Sequence, residues 1–73
     1  MLLKTQVVLY LFDELSNGRK IYLQEVLGEF GMSIRTFRRY ISEIQAYFTN
    51  FNKQKLIKYS MKEKTYYLID ASY

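Results

Sequence analysis

The segment GMSIRTFRRYI, residues 31–41, carries three arginines and no acidic residue. A guanidinium group holds its N–H donors in a fixed fork, so it can bond two acceptors of a phosphate or of a guanine edge at once. The same charges on a helix face can also serve only to keep a small domain solvated. The element that holds the arginines therefore has to be established first.

Apolar residues recur through this part of the chain at i, i+4, i+7 and i+11, which predicts a helix over residues 34–50 with one narrow buried stripe. The stripe consists of Phe37, Ile41, Ile44 and Phe48. At about 100° per residue, Arg35 and Arg39 lie almost opposite this stripe. Ser42 continues the same outer face, and Arg38 lies on its flank. The predicted helix can thus be anchored on one side and present bases on the other.

A short turn precedes this helix. Leu23 to Phe30 predicts another helix, Gly31 interrupts it, and Ser33 is a favourable N-cap for the helix that follows. Ser33 and Thr36 belong to the first turn of the arginine helix, where free backbone N–H groups favour a phosphate. Both residues are therefore candidate phosphate contacts.

The rest of the chain predicts one more helix and a hairpin. Residues 3–15 carry an apolar stripe at helical spacing, made of Leu3, Val7, Val8, Leu11 and Leu15. Residues 55–61 and 65–69 are rich in β-branched and aromatic residues, with Ile57, Tyr59 and Met61 alternating, and the charged residues 62–64 form the tip. We predict a single α+β domain over residues 1–73, mostly α: three helices (3–15, 23–30, 34–50) followed by a two-stranded hairpin (about 55–69).

The positive charge is concentrated in the second half of the chain. The net charge of the protein is +4, and residues 31–73 hold eight of the eleven bases but only three of the seven acids. This asymmetry suggests a basic face for a polyanion. Lysines of the hairpin are candidates for sequence-independent phosphate contacts: Lys55, Lys58, Lys62 and Lys64, with Lys53 just before them.

Several classes of function are disfavoured. The chain has neither Cys nor His, so the usual zinc ligand sets and the Cys- or His-based nucleophile systems are missing. It shows no phosphate-binding glycine loop, no catalytic pairing of acids and no evident effector site, so we expect neither an enzyme nor a bound cofactor. No apolar run has the length of a membrane span, and the expected location is the cytoplasm.

Residues 31–41 resemble the winged helix-turn-helix of DeoR-type and biotin-repressor-type bacterial regulators, also found before WYL domains. In those proteins a G-V-S-x-R-T-I-x-R-D-L run spans the turn and the recognition helix. Gly31, Ser33, Thr36 and Arg39 match it in type, and residues 66–68 resemble the strand that closes the wing. Leu27 stands where a small residue is usual, and Tyr40 replaces the usual Asp. Residues 40–52 also resemble the longer third helix of Mga-type regulators.

The resemblance implies duplex DNA binding by the third helix in the major groove and by the hairpin, in bacterial transcriptional control. Homodimerisation is also implied, with the first helix and the aromatic C-terminal end as candidate surfaces. Two alternatives remain open. One is a winged-helix adaptor that binds proteins, and the other is a phage or plasmid accessory factor that binds DNA in replication or recombination.

Overall fold

The computed structural model describes residues 3–51 and 53–70. Residues 1–2, 52 and 71–73 of the predicted domain, including the end of the aromatic C-terminal segment, lie outside the described residues. The described part is a small α+β fold, mostly helical, with three helices and a three-stranded antiparallel sheet. Its elements are α1 (Lys4–Ser16), β1 (Ile21–Tyr22), α2 (Leu23–Phe30), α3 (Ile34–Asn50), β2 (Lys55–Ser60) and β3 (Thr65–Asp70).

The predicted hairpin is present as β2–β3, but the sheet has a third strand that the sequence did not predict. β1 pairs antiparallel with β3, with Ile21 opposite Tyr66 and Tyr22 opposite Thr65, so the sheet order is β1-β3-β2. Ile21 is also part of the buried core, so this short extended segment is held both by strand pairing and by apolar packing. Two residues are too few to show the alternation by which a strand is recognised in a sequence.

One apolar core joins the three helices to the sheet. The predicted stripe of α3 is confirmed, since Phe37, Ile41, Ile44 and Phe48 are all buried. The stripe of α1 is buried at Val7, Leu11 and Leu15. Leu3 was wrongly assigned to that stripe. It is 69% exposed because it is the N-cap residue, where the backbone is still extended and the side chain leaves the helix surface.

The hairpin turn spans residues 61–64, so it begins one residue before the predicted tip, residues 62–64. Met61 is 82% exposed in this turn, so its predicted place in the strand alternation is wrong. Lys64 adopts a left-handed backbone with φ of 57° and donates its N–H to the carbonyl of Ser60 over 2.7 Å. Its own carbonyl accepts the N–H of Leu23 at 3.2 Å. The turn is thereby fastened to the first residue of α2.

Candidate nucleic-acid interface

The turn before α3 is built by two residues. Gly31 ends α2 in the left-handed region, with φ of 61° and ψ of 37°. A Cβ atom at this position would meet nothing within 4 Å. Glycine is therefore favoured here by the backbone conformation and not by lack of space. Met32 then donates its N–H to the carbonyl of Leu27 at 3.2 Å, which completes the reversal of the chain between α2 and α3.

Ser33 starts α3 as predicted. Its hydroxyl oxygen accepts the backbone N–H of Thr36 at 3.2 Å, and its O–H lies 3.1 Å from the hydroxyl oxygen of Thr36. Ser33 is exposed and Thr36 is half-buried. The Ser33 hydroxyl thus caps the helix start, and the two hydroxyls bond to each other beside the arginine-bearing turns that follow.

The outer side of α3 forms a shallow surface depression, which we call the arginine depression. It is lined by Lys4, Ile34, Arg35, Arg38, Arg39, Ser42 and Glu43. The four predicted residues of this helix face, Arg35, Arg38, Arg39 and Ser42, are all exposed and all belong to it. Arg38, expected on the flank, shares the same surface.

Within the described part of the chain, no acid forms an ion pair with the arginines of this depression. Among residues 3–51 and 53–70 the ion pairs join Lys4 to Glu43, Arg19 to Glu14 and Lys20 to Glu63. None of these pairs involves Arg35, Arg38 or Arg39. Three permanently charged groups therefore share one side of a helix whose opposite side is buried.

Lys4 and Glu43 were not recognised as site residues in the sequence. Lys4 begins α1, and its ammonium nitrogen lies 3.2 Å from a carboxylate oxygen of Glu43 on α3. The same nitrogen lies 5.7 Å from the ring centroid of Tyr40. These contacts exist only because α1 packs across α3, so no spacing along the chain could have indicated them.

The hairpin lysines do not share one surface. Lys55 is half-buried opposite Asp70, whereas Lys58 is exposed opposite Tyr67. Because these two lysines are three positions apart on one strand, their side chains leave opposite faces of the sheet. Lys62 and Lys64 are exposed at the turn, and Lys53 is exposed before β2. The predicted set is thus dispersed along the hairpin.

The hairpin turn carries an ion pair that the sequence did not predict. Lys20 donates to the carboxylate of Glu63 at 2.8 Å, and the hydroxyl of Thr65 lies 3.4 Å from the same oxygen. The hydrogen bond from Lys20 lowers the pKa of Glu63, and the bond to Glu63 raises the pKa of Lys20. Both side chains are about half exposed, so solvent screens the pair and it contributes mainly to the orientation of the turn.

Gln45 connects α3 to the sheet and was also missed. Its amide nitrogen donates to the carbonyl of Lys55 at 3.0 Å, and its amide oxygen accepts the N–H of Ile57 at 2.8 Å. β2 is an outer strand of the sheet, and Gln45 covers part of its open edge. A polar residue beside the buried stripe of a helix was the only signal for this role.

The described residues contain no group of acids, histidines or cysteines able to hold a metal ion. None of the helices in that part of the chain is long and apolar enough to cross a membrane.

Comparisons with known proteins identify no relative. The chain matches no protein-family model, no curated protein and no solved structure.

Proposed function

We propose that this protein is a winged helix-turn-helix domain that binds duplex DNA, with α3 in the major groove and the β2–β3 hairpin as the wing. The observation that carries the proposal is the arginine depression. Arg35, Arg38 and Arg39 lie together on one exposed side of α3, without a carboxylate partner in the described part of the chain, while Phe37 and Ile41 anchor the opposite side.

The element order supports the same proposal. α2, a glycine-containing turn and α3 follow one another directly, as in a helix-turn-helix, and the β2–β3 hairpin comes next in the chain. In this role Arg35 and Arg39 contact base edges or phosphates, and the exposed lysines Lys58, Lys62 and Lys64 contact the DNA backbone. Ser33 and Thr36 hold the start of α3 toward the DNA.

The biological role we propose is transcriptional control in a bacterium, which rests on the resemblance of residues 31–41 to bacterial regulators. An accessory factor in phage or plasmid replication would use the same DNA contacts. An adaptor that binds proteins would leave the arginine depression without a DNA ligand, and this difference can be measured.

The test is a titration of the 73-residue chain against random duplex DNA at several salt concentrations. Binding that releases counterions from phosphates falls steeply as salt rises, with a slope that reports the number of neutralised phosphates. We expect Arg35→Ala/Arg39→Ala to weaken binding at least about tenfold without loss of helical circular dichroism, since both side chains are exposed.

The matched control compares Arg19→Ala with Arg35→Ala, because each removes one positive charge, and Arg19 is paired with Glu14 outside the arginine depression and the hairpin. We expect Arg19→Ala to bind DNA nearly as well as the wild type. Wild-type protein without salt-sensitive binding, or Arg35→Ala and Arg19→Ala variants with equal affinity, would overturn the DNA proposal and favour the adaptor.

A further inference from the structure

The arginine depression contains one acid, Glu43, whose presence a surface for phosphates alone does not explain. Glu43 is the single carboxylate among the described residues that line the depression, and its side chain is 51% exposed. A carboxylate at a surface that meets DNA repels the phosphates. A domain that bound only the DNA backbone would bind more tightly with an uncharged residue at this position.

Glu43 forms its ion pair with Lys4 and not with an arginine of α3. Arg39 lies four residues before Glu43 on α3, a spacing at which oppositely charged side chains pair on a helix. The carboxylate instead lies 3.2 Å from Lys4 of α1. Lys4 thus compensates the charge of Glu43 from outside the helix, and the bases of α3 keep their full positive charge.

An ionised carboxylate only accepts hydrogen bonds. In the major groove it is matched by the N4 amino group of cytosine, and it is repelled by the acceptors of guanine and of the thymine carbonyl. An arginine has the opposite preference and bonds guanine. Arg39 and Glu43 are one helical turn apart, about 6 Å along the axis, which lets them reach neighbouring base pairs.

We infer that Glu43 is a specificity-determining residue that accepts a hydrogen bond from a cytosine amino group, while Lys4 compensates its charge against the phosphates. The inference rests on the proposed function, because it concerns the same surface of α3. It adds a residue that discriminates between bases to a surface whose arginines supply affinity.

The experiment is selection from a pool of duplexes with randomised central base pairs, using the full 73-residue chain at fixed salt, followed by sequencing of the bound DNA. The wild type is expected to enrich cytosine at one position. In Glu43→Gln this preference falls roughly 5- to 100-fold and moves toward adenine, because a glutamine amide bonds N6 and N7 of adenine. Affinity for the unselected pool does not fall, since the change removes a negative charge.

Three further variants separate base reading from charge. Glu29→Gln removes the same charge from an exposed position of α2 outside the depression, and it should select the same bases as the wild type. Glu43→Ala should lose the cytosine preference without gaining one for adenine. Lys4→Ala should weaken binding to all sequences and keep the cytosine preference.

Two different results separate the role of Glu43 from DNA binding itself. If the wild type binds duplex DNA in a salt-sensitive way and Glu43→Gln enriches the same bases as the wild type, the role of Glu43 is overturned and DNA binding stands. If the wild type binds no duplex at any salt concentration, both are overturned.

Discussion

At the scale of single residues, the start of α3 depends on Gly31 and Ser33. Gly31 takes the left-handed backbone that ends α2, and Ser33 satisfies the N–H of Thr36 at the first turn of α3. The first N–H groups of a helix have no partner within the helix. Ser33 therefore stabilises the start of α3 two positions before Arg35.

Replacing Ser33 by alanine should lower the free energy of unfolding by about 1 kcal/mol, because the N–H of Thr36 loses its acceptor. Ser33→Asp should retain most of the stability, since a carboxylate caps the same N–H and suits the positive end of the helix dipole. Ser42→Ala, an exposed position inside α3, is the control and should cost little. Urea unfolding measures all three variants, and an unchanged midpoint for Ser33→Ala would contradict the assignment.

At the scale of elements, Gln45 holds α3 against β2 through two hydrogen bonds to the strand backbone. Outer strands expose unpaired N–H and C=O groups, and proteins commonly cover or blunt such edges. Here one side chain satisfies two backbone groups of β2 and fixes the hairpin relative to the arginine depression. The angle between helix and hairpin is thus maintained by polar contacts as well as by the core.

Gln45→Ala should lower stability by about 2 kcal/mol, since the N–H of Ile57 and the carbonyl of Lys55 both lose a partner. The backbone amide of Ile57 should also exchange its hydrogen faster, and by more than the global loss of stability explains. Without Gln45 this amide can open to solvent locally, while the rest of the domain stays folded. Gln24→Ala, an exposed glutamine on α2, is the matched control. Exchange at Ile57 that changes no more than exchange in α1 would show that Gln45 does not hold the strand.

At the scale of the whole molecule, stability depends on a small core shared by helices and sheet. Phe37 is fully buried, and its ring packs edge-on against Tyr66 of β3 with centroids 5.1 Å apart. A chain of 73 residues buries a smaller share of its surface than a larger domain does. The loss of one buried ring between α3 and the sheet is therefore expected to be large relative to the total stability.

Phe37→Ala should cost about 3–5 kcal/mol and lower the Tm by about 20 °C, since it removes the ring that joins α3 to the sheet. Phe37→Leu should cost less because it keeps most of the apolar volume. Phe51→Ala is the control, because that ring is 64% exposed and its loss leaves the core intact. Thermal unfolding followed by circular dichroism measures the series. A Phe37→Ala protein as stable as Phe51→Ala would refute this account of the core.

The three helices could be predicted because their signals are local. The stripe of Phe37, Ile41, Ile44 and Phe48 repeats at helical spacing, and the serine and glycine signals mark where α3 begins and α2 ends. The same helical spacing, about 100° per residue, correctly placed Arg35 and Arg39 on the exposed side of α3. These features depend on residues only a few positions apart, which is why the sequence was sufficient for them.

Contacts between distant parts of the chain could not be predicted from the sequence. The strand Ile21–Tyr22 exists because β3 offers it a partner more than forty residues later, and Lys4 meets Glu43 because α1 crosses α3. Neither pairing has a periodic signature. The sequence by itself determined the helices and the charged side of α3. Only the packing of α1 against α3 decided that Glu43 and Lys4 meet on that side. The reason is that charged groups interact through space and not along the chain.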